Sequence, residues 1–133
     1  MTKRPIRALL IEDNAGDIAL TQHSFANEPF VWDVARDGET GLQRVRDTLP
    51  DIVFLDINMP RMRGDEVLAA IKNNPLTQSI PVVILTHSSN PDHVQRCYDL
   101  QAAAFCSKPV TLDKFRELAK ATTAWWVDSV RLP

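Results

Sequence analysis

"VFLDINMPRMRG", residues 53–64, begins as an apolar run and then sets Asp56 directly after Leu55. A stretch built for burial ends on a carboxylate, followed by Asn58, Met59, Pro60 and, four residues further on, Gly64. Asn or Ser would have served a simple turn, so the choice of Asp56 asks for a chemical reason. The run itself, Ile52 to Leu55, is short, nearly continuous and rich in β-branched residues, the pattern of a strand covered on both faces in a parallel sheet.

The same signature recurs on either side, at Ile6 to Ile11 and at Val82 to Leu85. Phe30 to Ala35 and Ala102 to Ser107 are weaker strand candidates. Between them the spacing turns helical. Ala15, Ile18, Ala19, Gln22, Phe25 and Ala26 predict a stripe facing the sheet on a helix from about Gly16. Asp37-Gly38 leads into a helix through Leu42 and Val45, and Val67, Leu68 and Ile71 mark another. The latter stops at Asn73-Asn74-Pro75, where Asn suits a left-handed cap and Pro cannot continue. Leu112, Phe115, Leu118, Ala119, Thr122 and Trp126 predict a last long helix. Five βα units with brief connections predict an α/β fold, a doubly wound five-stranded parallel sheet with helices on both faces.

In such sheets ligands bind in the crevice outside the carboxyl ends of the strands. Five polar groups fall there: Glu12 and Asp13 after the first strand, Asp56 after the third, Thr86 after the fourth and Lys108 after the fifth. Crowded carboxylates stay ionised most readily around a divalent cation with hard oxygen ligands. Mg²⁺ fits best, since it is held by one or two carboxylates, keeps several waters and completes its shell with phosphate. Asp13 and Asp56 would hold it directly, Glu12 through water, and Asn58 through its backbone carbonyl. Asp56 could then attack phosphorus to give an acyl phosphate, with Lys108 and Thr86 meeting the phosphoryl oxygens. Singly, each residue has a plainer reading: Glu12 and Asp13 as helix caps, Asp56 as a turn former, Lys108 as a surface lysine before Pro109, Thr86 as a β-branched strand residue. Caps and turns leave unexplained why acids, a hydroxyl and a lysine occupy the same end of different strands.

In this order and spacing, "LLIEDN" (residues 9–14), "VFLDINMP" (53–60), "VVILT" (82–86) and "FCSKP" (105–109) resemble the receiver domain of bacterial two-component response regulators, over essentially the whole chain. The resemblance implies a flavodoxin-like, CheY-like fold with strand order 2-1-3-4-5, Asp56 as phosphoacceptor and Glu12 and Asp13 as metal-binding acids. It further implies Thr86 as the switch hydroxyl, Lys108 as the phosphate-contacting lysine, Phe105 as a rotating aromatic switch and a cis peptide before Pro109. "EDNAGDIALTQHSF" (12–25) and the tail "AWWVDSVRLP" (124–133) resemble single-domain regulators paired with phytochrome-type histidine kinases. That implies a single domain over 1–133, with a helix and short tail over about 112–133 and no effector domain. Its output would be partner docking, onward phosphotransfer or homodimerisation, through the face of the fourth helix, fifth strand and fifth helix or through the C-terminal helix.

Three residues depart from the family pattern. His87 follows Thr86 where a small residue is usual, so it either crowds the phosphate or points outward; with Ser88 it is a candidate modulator. Arg63 precedes Gly64 where an acid is frequent, and Gln101 replaces a common glycine, which predicts a fourth helix without its usual cap. The adjacent Trp125 and Trp126 point about 100° apart on a helix, so one of them is a candidate interface residue unless both wrap the core edge.

The bulk composition narrows the field. With 133 residues, 44% apolar, 24% charged and a net charge of −2, the chain carries no basic footprint for nucleic acid or an anionic membrane. Its apolar runs are too short for a signal-peptide core or a membrane span. Cys97 and Cys106 suit small buried hydrophobes in a reducing, cytoplasmic setting. Two other functions compete with a phosphorylation switch. A hydrolase passing through an aspartyl-phosphate would resemble the haloacid dehalogenase class, but the second acid of its D-x-D motif is missing at Asn58. A binding module that has lost phosphorylation draws its support from His87.

Overall fold

The computed structural model describes residues 5–87, 90–109 and 111–124. Its elements run β1 (Ile6–Ile11), α1 (Ala15–Ser24), β2 (Phe30–Ala35), α2 (Gly38–Thr48), β3 (Ile52–Leu55), α3 (Gly64–Lys72), β4 (Val82–Thr86), α4 (Pro91–Asp99), β5 (Ala104–Ser107) and α5 (Leu112–Ala124). All strand pairs are parallel, in the order β2-β1-β3-β4-β5. The predicted sheet and strand order are therefore present.

The strand side chains alternate between two cores. Leu9, Ile11, Val53, Leu55, Val82 and Ile84 join Leu42, Val45, Val67, Leu68 and Ile71 from α2 and α3, with Cys97 of α4, on one face. Ile6, Ala8, Leu10, Ile52, Phe54, Val83 and Leu85 meet Phe25 and the α5 residues Phe115 and Ala119 on the other. β3 and β4 are buried at every position, which accounts for apolar runs with no polar alternation. Each large side chain buried in this way contributes roughly 1.5–3 kcal/mol.

Two local expectations are corrected. The buried stripe near α1 runs through Thr21, Ser24 and Phe25, while Ala15, Ala19, Gln22 and Ala26 are exposed. The Thr21 hydroxyl donates to Asp17 O at 2.7 Å, and such back-bonding lets a polar side chain face the core. At the end of α3, Asn73 is not left-handed (φ −88°, ψ −2°). The buried Thr77 hydroxyl instead donates to Ile71 O at 2.7 Å, and the Asn74 side chain accepts from Leu76 N at 2.9 Å.

The missing glycine at 101 has the opposite outcome to the one expected. Gln101 takes up the left-handed conformation itself, at φ 70°. The α4 terminus closes with Gln101 N donating to Tyr98 O and Ala102 N to Cys97 O, both at 2.9 Å. That pair of bonds is the Schellman motif.

Candidate functional site

Parallel pairing brings the strand ends to one edge. Asp56 N donates to Ile11 O at 3.0 Å and Glu12 N to Ala35 O at 3.0 Å, so both acids emerge as the ladder finishes. Glu12, Asp13 and Asp56 offer carboxylate oxygens that all lie within 4.8 Å of one another. Glu12 and Asp56 are 1% and 6% exposed. Asp13 and Asp56 line a cavity of about 470 Å³ together with Asn14, Asp17, Asn58, Thr86 and His87.

Neither Glu12 nor Asp13 caps α1; Asn14 does, its Oδ1 accepting from Asp17 N at 2.9 Å. Asp56 does form a turn, Oδ1 accepting from Asn58 N at 3.2 Å, but its Oδ2 stays turned toward Lys108, 3.6 Å away. Thr86 is wholly buried and its Oγ1 accepts from Asn58 Nδ2 at 3.3 Å. Lys108 is not a surface lysine: its side chain is 2% exposed and its ammonium pairs with Glu12 and, at 3.0 Å, with Asp17.

The electrostatics follow from burial. Desolvation pushes the Glu12 carboxyl up to about 7; the Lys108 hydrogen bond opposes this, and the Asp56 charge adds to it. Burial alone would depress Lys108, yet its bonds to Glu12 and Asp17 and the nearby Asp56 charge raise it, so the ammonium stays charged. Hard oxygen donors, two of them buried and mutually repelling, suit a divalent cation. The residues present therefore fit such an ion, with Asp13 and Asp56 placed to hold it and Glu12 engaged by Lys108.

Gly64 answers the spacing of the opening stretch. A Cβ on it would meet Asp56 O and Ile57 Cα at 2.5 Å each. The first turn of α3 lies directly on the backbone of Asp56, and only a glycine permits that approach.

The other site expectations divide. His87 does not point away: it lines the cavity mouth, its Nε2 3.2 Å from Asp17 Oδ2. Phe105 is half-buried against the α2–α4 side core, and its backbone N–H donates to the Tyr98 hydroxyl at 3.2 Å. Arg63 gives α3 no side-chain cap; it pairs with Asp65 at 3.2 Å, and Asp65 in turn accepts from Arg96 of α4 at 2.7 Å. The expected cis peptide before Pro109 is corrected, because there is no cis bond among the described residues. Trans is the intrinsic preference of an X–Pro bond by about 0.5–1 kcal/mol. Lys108 meets its partners in this isomer, its amide donating to Thr86 O at 2.7 Å. Ser88, Trp125 and Trp126 lie outside the described residues. The sequence reading missed Asp17. Its signal was the capping residue Asn14, which starts α1 so that Asp17 falls in the first turn, just after the acids of the strand end.

The response regulator receiver domain model matches residues 8–120. The chain belongs to the response regulator receiver family. Response regulator Rcp1 of Synechocystis sp. is 31% identical, the match covering 94% of this chain and 91% of that one. The phosphorylated cyanobacterial phytochrome response regulator RcpA superposes with a TM-score of 0.90 at 33% identity, over 97% of this receiver and 99% of that chain. The Mn(2+)-bound form of Rcp1 superposes at 0.87 with 31% identity, over 97% and 99% of the two chains. The receiver is thus a CheY-like response regulator of the Rcp1 and RcpA type, a signalling protein by family. No helix among its described residues is long and apolar enough to cross a membrane.

Proposed function

We propose that this receiver is a phosphorylation-controlled switch that accepts a phosphoryl group from a histidine kinase onto Asp56. The observation that carries the reading is Asp56 itself: a nearly buried carboxylate on the floor of an open cavity, one oxygen tied to Asn58 N and the other facing Lys108. In the transfer, an Asp56 oxygen bonds to phosphorus as the bond from phosphorus to the kinase imidazole nitrogen breaks, and the electron pair leaves with that nitrogen. Mg²⁺ bound by Asp13 and Asp56, with Glu12 and the Asn58 carbonyl in support, would neutralise charge on the phosphoryl oxygens. Lys108 donates to one of those oxygens and Thr86 to another.

The output follows from what Thr86 and Phe105 touch. Thr86 is linked to Asn58, and Phe105 packs beside α4 with its amide on Tyr98, so a new acceptor at Asp56 biases the α4–β5–α5 face. That face, or α5 and the tail that follows it, is the surface for a homodimer or a downstream partner. The likeness to phytochrome response regulators supports a phytochrome-type kinase as donor. The protein catalyses only its own phosphorylation and dephosphorylation.

Incubation with Mg²⁺ and a small phosphodonor is expected to add one hydroxylamine-labile phosphoryl group by intact mass, and Asp56→Asn none. A wild-type mass that stays unchanged would favour the phosphorylation-independent binding module, in which His87 closes the cavity mouth.

A further inference from the structure

Lys108 reaches from the end of β5, an edge strand, across β4 and β3 to the acid at the end of β1. An ammonium carries three N–H donors. Three carboxylates from three different elements surround this one: Glu12 after β1, Asp17 in α1 at 3.0 Å and Asp56 after β3 at 3.6 Å. Two of these are hydrogen bonds. The third distance is too long for one, so the donor aimed at Asp56 is in place but unused.

Asp17 is held as firmly as its task requires. Its backbone N–H is bonded to the Asn14 cap at 2.9 Å, its side chain is 18% exposed, and the Oδ2 that receives Lys108 also lies 3.2 Å from His87 Nε2. The Lys108 side chain, 2% exposed, has no open solvent into which to turn. A phosphoryl oxygen on Asp56 would project into the gap between Asp56 and the ammonium and meet the waiting donor without reorganisation, which is where preorganised charge is most effective.

We propose that Asp17, steadied by His87, is a positioning residue that with Glu12 fixes the Lys108 ammonium so that its third donor faces the phosphoryl group on Asp56. This rests on Asp56 being the phosphoacceptor. It gives His87 a second task besides bordering the cavity: its imidazole meets the same Asp17 oxygen that receives Lys108.

The test is a double-mutant cycle on residues 17 and 108, read as the maximal phosphorylation rate and the apparent donor affinity with acetyl phosphate at saturating Mg²⁺. Asp17→Ala is expected to lower the maximal rate by about tenfold or more, the scale of a lost hydrogen bond to a charged group, with donor affinity and Mg²⁺ affinity within about twofold. Asp17→Asn, which keeps an acceptor for the ammonium, recovers part of that rate. In a Lys108→Met background the Asp17 substitutions have no further effect. An unchanged or increased rate in Asp17→Ala, or an equal loss without Lys108, overturns the proposal. A second readout needs no phosphate: in ¹⁵N NMR spectra the Lys108 ammonium protons are expected to exchange slowly in the wild type and rapidly in Asp17→Ala. If wild type takes up no phosphate, the phosphoacceptor reading fails by itself, and unaltered exchange in Asp17→Ala overturns the positioning role separately.

Discussion

Glu12 is the residue on which the charge balance of the receiver's site turns. Its folded carboxyl sits at about 7 against 4.5 for the free group, chiefly through desolvation. A group whose folded pKa is raised contributes stability that is complete below the unfolded value and is lost as the pH climbs through the folded one. In EDTA, therefore, the melting temperature is expected to fall between pH 5 and pH 8, by the equivalent of at least about 1 kcal/mol. Mg²⁺ held by the ionised acids would compete with that proton, so it is expected to raise the melting temperature most at the upper end of the range. Thermal melts across pH, with and without the ion, check both. Gly64 acts at the same scale through volume. With Asp56 O and Ile57 Cα only 2.5 Å from the place a methyl group would occupy, Gly64→Ala forces the backbone of Asp56 to shift. Overpacking of this kind costs roughly 1–3 kcal/mol, and Mg²⁺ affinity measured by calorimetry should fall with it.

At the scale of the element, α4 is held at its carboxyl end and, through Arg96, to α3. Gln101 closes its carboxyl end at φ 70°, a conformation that costs a residue with a Cβ about 1–2 kcal/mol. Gln101→Gly removes that cost while adding freedom to the unfolded chain, and is expected to stabilise the receiver by about 0.5–1 kcal/mol in urea titrations. On its inner side, α4 is tied to α3 by Arg96 and the buried Asp65. Burial would raise the Asp65 carboxyl, but the Arg96 hydrogen bond and the Arg63 charge outweigh it and leave it lowered. This contribution is present above the carboxyl's unfolded value of 3.8 and is lost as the pH falls through the lower, folded one. Asp65→Asn is expected to cost about 1–2 kcal/mol and to speed amide exchange in α4 before it does so in β3. Equal protection of α4 in mutant and wild type would rule out this tie.

For the molecule as a whole, the sheet was legible because burial on both faces leaves an unmistakable trace: runs such as Ile52 to Leu55 and Val82 to Leu85 carry no polar alternation, and strands occupy those residues. The site was legible for a related reason. Parallel strands of one sheet deliver their carboxyl ends to one edge, so Glu12, Asp13, Asp56, Thr86 and Lys108 could be placed together from chain order alone. The α1 stripe was misplaced because Thr21 and Ser24 are polar by composition, yet satisfy their hydroxyls on their own helix and face inward. Asp17 was overlooked because nothing in the chain near it announces Lys108, 91 residues away. By itself, the sequence determined the strand pattern, the parallel sheet and the acids at its rim, since these follow from local periodicity and order. Only the tertiary structure decided which oxygen meets which donor: the trans bond before Pro109, Asn14 as the cap of α1, Gln101 in a glycine's conformation and the three carboxylates about Lys108. Those choices are made by distances of a few ångströms between segments far apart in the chain, and burial, which makes each such contact strong, exists only once the chain has folded.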